Sequence, residues 1–324
     1  CTPRDTTGRC GWQIRYLGAG QLAPLDAYLG PMLAVAARDP APEVRIMALR
    51  RLAGVIADTR TCAPMIDALD DPTQFDIVRL EAIDLMDSRC AEHEDISRRL
   101  ETWVTDPTLK ERWSFSAHAI ERLALIDPAK ASVVISEFGS THDLWPLRAA
   151  SARAALTLRD TATLLKLAND DEPNVRTTAL SALFALANPS VTALARRALS
   201  STDDQLVTVA AGLLRDTTTD REGALVDVWG AFKRLTEGGR DTSRTPRLAI
   251  LDRMKAWAPP VGNSSPVRPY VDELKPVLRD FDPFVASAAA DVIAGVTGER
   301  PQPRPTHRPV DQPTEDDLRR LPST

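Results

Sequence analysis

One pattern recurs along this chain and constrains its fold more than any other feature. An acidic turn, often with proline, is followed by Val, by an Ala four residues later, and by a large apolar residue three or four beyond that. Asp39-Pro40 leads to Val44-Arg45, Ala48 and Leu52, and Asp71-Pro72 to Val78-Arg79, Ala82 and Met86. Asp171-Glu172-Pro173 leads to Val175-Arg176, Ala179 and Leu183. Asp203-Asp204 leads to Val207, Ala211 and Leu214, and Asp282-Pro283 to Val285, Ala289 and Ile293. Weaker copies centre on Phe115 with Ala119 and Leu123, on Leu147-Arg148, and on Leu248 to Met254. Successive Val-equivalents from 44 to 207 are 34, 37, 32, 28 and 32 residues apart; the 78 residues from 207 to 285 leave room for two units and a longer loop. A unit this short cannot bury its own apolar face, so it must stack on its neighbours.

Each period holds two amphipathic segments. Apolar positions at i, i+4 and i+7 or i+8 place one stripe on a helix face, and the Ala lets a neighbouring helix approach closely. Asp at the turn can cap the second helix, while Pro suits its first turn. The preceding helices are expected at roughly 24–38, 61–69, 93–104, 128–138, 161–168, 189–199, 221–236 and 268–278. This arrangement resembles the HEAT-repeat family over residues 22–298. The resemblance implies an all-α, right-handed solenoid of about seven to eight helical hairpins. A compact helical bundle is the alternative, although a bundle needs no repeated turn signature.

Three segments follow. Residues 1–23 read as an N-terminal anchor or cap, because Gly8, Gly11, Gly18 and Gly20 suggest an irregular backbone around Trp12 and Tyr16. Residues 24–298 form the repeat array, with polar insertions at 238–246 and 262–266. Residues 299–324 are rich in Pro among Arg, Asp, Glu and Thr, and read as an extended tail or linker that cannot bury a core.

Charge and hydropathy narrow the partners. The 324 residues carry 40 basic and 45 acidic side chains, a net charge of −5, where a nucleic-acid binder would show a basic face. No apolar run reaches the ~18–20 residues of a membrane span, and the longest, Phe284 to Val296, is interrupted by Asp291. With aromatics at 5%, the core must be built mainly from Ala, Leu and Val.

The first residue resembles the start of a mature bacterial lipoprotein, in which the signal peptide is cut before a Cys that then carries a diacylglycerol. That resemblance implies lipid attachment at Cys1, export, and a periplasmic or envelope location on a membrane. Cys62 opens one expected helix and Cys90 closes the next, so an antiparallel pair could bring them within disulfide range; two unrelated thiols is the other reading. Lipidation of Cys1 leaves Cys10 odd, and otherwise a Cys1–Cys10 pair is open. No C-x-x-C spacing or paired His favours zinc.

Catalytic signatures are sparse. Of His93, His118, His142 and His307, only His93-Glu94 resembles the His-Glu pairs of HEAT-family iron hydroxylases, which carry several. No G-x-S-x-G, phosphate-binding loop or H-E-x-x-H occurs. Asp70-Asp71, Asp170-Asp171 and Asp203-Asp204 fall at repeat turns, where capping accounts for them, and Asp316-Asp317 lies in the tail. Arg45, Arg79, Arg148 and Arg176 recur at second-helix starts and are expected to reach the acidic turn of an adjacent repeat; the alternative is a row that reads an acidic partner. HEAT-type DNA glycosylases use a basic concave face, which the acidic balance here opposes. The expectation is therefore a non-catalytic scaffold or accessory subunit of a membrane protein complex, with no metal, cofactor, nucleic acid or small-molecule substrate. Trp12, Trp145 and Trp257, with Pro301, Pro303 and Pro305 of the tail, are the expected partner contacts. The alternative is the HEAT arm of an exported cyclophilin-type peptidyl-prolyl isomerase whose catalytic domain lies beyond Thr324.

Overall fold

The structure, a computed structural model, describes residues 11–21, 35, 38–55, 62–91, 94–106, 112–214, 219–237, 243–259 and 261–306. The fold is all-α, with no strand among the described residues, and the helices follow one another as the stacked hairpins of an α-solenoid. The chain divides into two compact units, residues 1–188 and 189–324, where the sequence alone reads one array. The buried apolar residues accordingly form two clusters, one from Ala48 to Ala154 and one from Ala195 to Val296.

In the first unit, α1 (Trp12–Gln21) packs on α2 (Pro42–Val55). Four hairpins follow: α3 (Cys62–Asp70) with α4 (Asp76–Asp84), α5 (Glu94–Thr105) with α6 (Trp113–Ile126), α7 (Pro128–Glu137) with α8 (Trp145–Leu158), and α9 (Thr161–Leu167) with α10 (Pro173–Ala185). The second helices α2, α4, α6, α8 and α10 pack side by side in one layer. The second unit holds α11 (Val191–Ala198), α12 (Asp204–Leu213), α13 (Arg221–Thr236), α14 (Arg244–Trp257), α15 (Val271–Leu274) and α16 (Pro283–Thr297), with α12, α14 and α16 adjacent.

The repeated motif is the core. Val44, Val78, Val175, Val207 and Val285 are completely buried, as are Ala48, Ala82, Ala119, Ala179, Ala211 and Ala289. Each Val removed from water contributes about 1.5–3 kcal/mol, so the periodic Val is a main stabilising element of each hairpin. In the α7–α8 hairpin Ser151 takes the Ala position and donates from Oγ to the Leu147 carbonyl at 2.9 Å, so its buried hydroxyl is paired. Gly139 passes opposite it, where an added Cβ would stand 2.2 Å from that hydroxyl.

The acidic turns work in two ways. Asp39, Asp71, Asp170 and Asp280 each accept the backbone N–H two residues on, at 2.9, 2.8, 2.9 and 2.9 Å, which folds the turn itself. Asp203 and Asp282 cap their helices, accepting from Leu206 N at 2.7 Å and Phe284 N at 2.9 Å. Pro occupies the first turn of α7, α8, α10 and α16, where its missing N–H costs nothing.

The described structure departs from the sequence reading in several places. Gly18 and Gly20 lie within the regular helix α1. A buried ion pair ties that helix to the first acidic turn, with Arg15 Nε donating to Asp39 Oδ2 at 2.8 Å. The copy near Leu248 is shifted by one residue: Arg247, fully buried and 2.6 Å from Asp280, takes the core place, and Leu248 is only partly buried. The expected helix at 268–278 is broken into Arg268–Tyr270, Val271–Leu274 and Pro276–Arg279, because Pro269 and Pro276 cannot supply helical N–H groups. Most of the expected helix at 24–38 lies outside the described residues, as do Cys1, Cys10, His93, His307 and Asp316-Asp317.

The start of the tail is bound by its own unit. Residues 301–306 run without helix, and Arg304 N donates to the Leu278 carbonyl at 2.8 Å while Thr306 Oγ1 donates to the Arg279 carbonyl at 2.8 Å. Arg300 anchors the turn into this strap through Asp291 at 2.6 Å. The remainder of the tail, from 307, is outside the described residues.

Candidate functional site

The intra-repeat turn joins the end of a first helix to the start of a second, so all such turns of one unit share an edge. At this edge three adjacent second helices begin with an aromatic residue. Phe75 precedes α4, Trp113 opens α6 and Trp145 opens α8, and they are 44%, 45% and 42% exposed. Each stands two or three residues before the buried core position (Val78, Phe115, Leu147), and Arg45 lies over the Phe75 ring at 5.1 Å. Phe138, which closes α7 on the same edge, is also exposed.

Trp113 and Phe138 border a cleft of about 350 Å³ whose floor is Val104, Leu144 and Leu147 and whose polar groups come from Asp106, Ser116 and His142. The polar groups are oriented by backbone contacts. Ser116 Oγ donates to the Trp103 carbonyl at 2.7 Å, and His142 Nδ1 accepts from Leu144 N at 3.0 Å.

Beyond the cleft the edge is acidic. The turn residues from Glu137 to Asp143 and from Asp170 to Arg176, with Arg148 between them, carry five carboxylates (Glu137, Asp143, Asp170, Asp171, Glu172) against two guanidinium groups (Arg148, Arg176). Both Arg are half-buried and committed. Arg148 donates to both oxygens of Asp170 at 2.7 and 2.8 Å and to the His142 carbonyl at 2.7 Å, and Arg176 donates to the Asp170 and Asp171 carbonyls at 2.7 and 2.9 Å. Burial works against ionisation of Asp170, but its bonds from Arg148 and Glu172 N hold the carboxyl below the usual carboxylate range. The Asp171 side chain remains 95% exposed.

The recurrent Arg therefore serve the stack. Arg45 donates to the Asp39 carbonyl and to Gln74 in the next turn, repeating the Arg148 arrangement. Arg79 donates to the Leu69 carbonyl at 2.9 Å and lies over the rings of Trp103 and Phe115 at 5.3 and 5.4 Å. Other charges bridge neighbouring second helices: Arg50 to Glu81 at 2.7 Å, His118 to Asp84 at 2.7 Å and Arg153 to Glu121 at 2.7 Å. The hydrogen bond to Asp84 raises the His118 imidazole above its ordinary value, against the opposing effect of burial. Among the described residues no group of three or more His, Cys, Asp or Glu is disposed to hold a metal, and no helix is long and apolar enough to cross a membrane.

The residues singled out from sequence are scattered. Trp12 is 43% exposed on α1, its ring edge-on to Tyr16 at 6.4 Å. Trp145 is part of the turn edge. Trp257 is a correction: it is completely buried in the core of the second unit, with Arg253 over its ring at 5.5 Å, and offers no face to a partner. Pro301 and Pro303 are half-buried in the strap, and Pro305 is exposed. Cys62 and Cys90 are joined in a disulfide, with Cα atoms 5.7 Å apart, linking the start of α3 to the short helix after α4. The sequence reading does not single out Phe75, Trp113 or Phe138; for Phe75 and Trp113 the available signal is a large aromatic just ahead of the core position.

No family model matches this chain, and no curated protein matches it in sequence. Among solved structures, the X-ray structure of Escherichia coli YibA superposes with a TM-score of 0.53, covering 88% of this chain and 97% of YibA at 16% sequence identity. A likeness at that identity is one of helical fold alone.

Proposed function

We propose that this protein is a non-catalytic HEAT-type binding subunit that holds another protein, as an accessory lipoprotein of a larger membrane complex. The observation that carries this reading is the turn edge of the first unit, where Phe75, Trp113, Phe138 and Trp145 are exposed in successive hairpins. Single exposed apolar residues are ordinary, whereas aromatics aligned along one edge offer the kind of anchor that dominates interface energetics. The buried D-P…V-R…A motif supports the HEAT assignment, since its Val and Ala positions are the ones excluded from water. The Cys62–Cys90 disulfide supports an oxidising compartment and hence export. Attachment through Cys1 belongs to the same proposal.

Affinity isolation of the full chain from native membranes, after mild crosslinking, is expected to recover a stoichiometric protein partner. Intact mass of protein from its native host is expected to exceed the polypeptide by a diacylglycerol, and Cys1→Ser to release it from membranes with the fold intact. A chain that crosslinks to nothing, or that shows turnover in pure form, ends the reading.

A further inference from the structure

We propose that the turn edge from Trp113 to Asp171 binds an extended, basic, proline-containing segment of a partner protein. This rests on the protein-binding reading above and specifies the ligand.

Spacing is the first argument. The helices α6 and α8 that carry Trp113 and Trp145 are packed neighbours, and packed helices lie about 8–10 Å apart. A polyproline II chain advances ~3.1 Å per residue with three residues per turn, so the same face recurs about every 9 Å. One residue in three of such a ligand thus meets one aromatic per hairpin. Aromatic-lined grooves accept this conformation because its ring faces and exposed carbonyls need no folding on binding.

Charge is the second argument. The aromatics are interleaved with Glu137 and Asp143, whose carboxylates have no Lys or Arg within 4 Å among the described residues, and with Asp171, which is 95% exposed although Arg148 donates to it at 3.1 Å; Lys166 at this edge is turned to Ser140 Oγ at 3.3 Å, and the two Arg are spent on carbonyls, Asp170 and Asp171. A Lys or Arg of the ligand would find a carboxylate beside a Trp face, and both attract a cation. A cleft of about 350 Å³ between Trp113 and Leu147 suits one or two side chains. A helical ligand would instead need a continuous apolar stripe, which the intervening carboxylates interrupt.

The test is titration of the full chain with a dodecapeptide of repeating Pro-Pro-Arg, followed by Trp fluorescence and calorimetry. Binding is expected, weakened by salt, and absent for the repeating Pro-Pro-Glu peptide. Trp145→Ala and the paired Asp143→Asn and Asp171→Asn are each expected to weaken it about tenfold, the loss of one good anchor. Trp12→Ala, an equally exposed aromatic on α1 and outside the stretch from Trp113 to Asp171, is expected to leave it unchanged. Asp171 is 95% exposed, and Arg148 keeps both of its bonds to Asp170 when Asp171 is replaced, so melting curves are expected to show the fold intact. No binding at millimolar peptide, or equal weakening by Trp12→Ala and Trp145→Ala, overturns the proposal. If the isolated complex still forms with the edge variants, the edge is wrong while the binding-subunit reading stands; if no complex forms with the natural chain, that reading falls as well.

Discussion

Breaking the Cys62–Cys90 bond should destabilise one end of the first unit by an amount that follows from the loop it closes. The cysteines are 28 residues apart in sequence. Loop-closure entropy for a loop of that length gives about 3.5 kcal/mol of stabilisation at 25 °C, through restriction of the unfolded chain. Both side chains are buried, so reduction leaves two thiols in the same packed site and isolates the chain-entropy contribution. Paired Cys62→Ala and Cys90→Ala substitutions should cost about 1 kcal/mol more, from the sulfur atoms removed from the core. Because each hairpin contacts only its neighbours, the loss should be local. Hydrogen exchange with and without reductant should show the largest loss of protection in α3 and α4, a smaller one in α2 and α6, and almost none in α13 and α14. A loss below about 1 kcal/mol in α3 and α4, or one spread evenly over both units, would refute the reasoning.

Gly295 and Gly230 should respond oppositely to Ala. At Gly295 an added Cβ would stand 2.8 Å from Ala258 Cβ, so overpacking of about 1–3 kcal/mol outweighs the helix-propensity gain; at Gly230 nothing lies within 4 Å, and a gain of about 0.5–1 kcal/mol is expected, both read by thermal melts. Arg148→Met should cost about 3 kcal/mol in denaturant unfolding, because it strands the buried Asp170 and two carbonyls. The folded His118 titrates above its ordinary value, so its contribution is full below about pH 6.5 and is lost as pH rises through the raised value. With both partners more than a third exposed, the loss should be at most about 0.5 kcal/mol, and Asp84→Asn should abolish that pH dependence in paired melts at low ionic strength.

The turn-to-core spacing was sufficient, from sequence alone, to set the all-α hairpin stack and the residues that fill it. Val, Ala and the following large residue can all be buried only if their helix presents that stripe to its neighbours, and periodicity reports this directly. The pairing of Cys62 with Cys90 was also legible, because the ends of an antiparallel hairpin must meet. Three things waited for the tertiary structure. Arg247 could be recognised as a core residue only once Asp280 was seen to neutralise it. Trp257 and Trp145 look alike in sequence, yet one is enclosed by its unit and the other stands on a turn edge. The alignment of Phe75, Trp113 and Trp145 depends on α4, α6 and α8 lying side by side. A sequence pattern records which residues leave water along one helix, whereas a binding surface is assembled from what several helices leave behind, and only packing brings those remainders together.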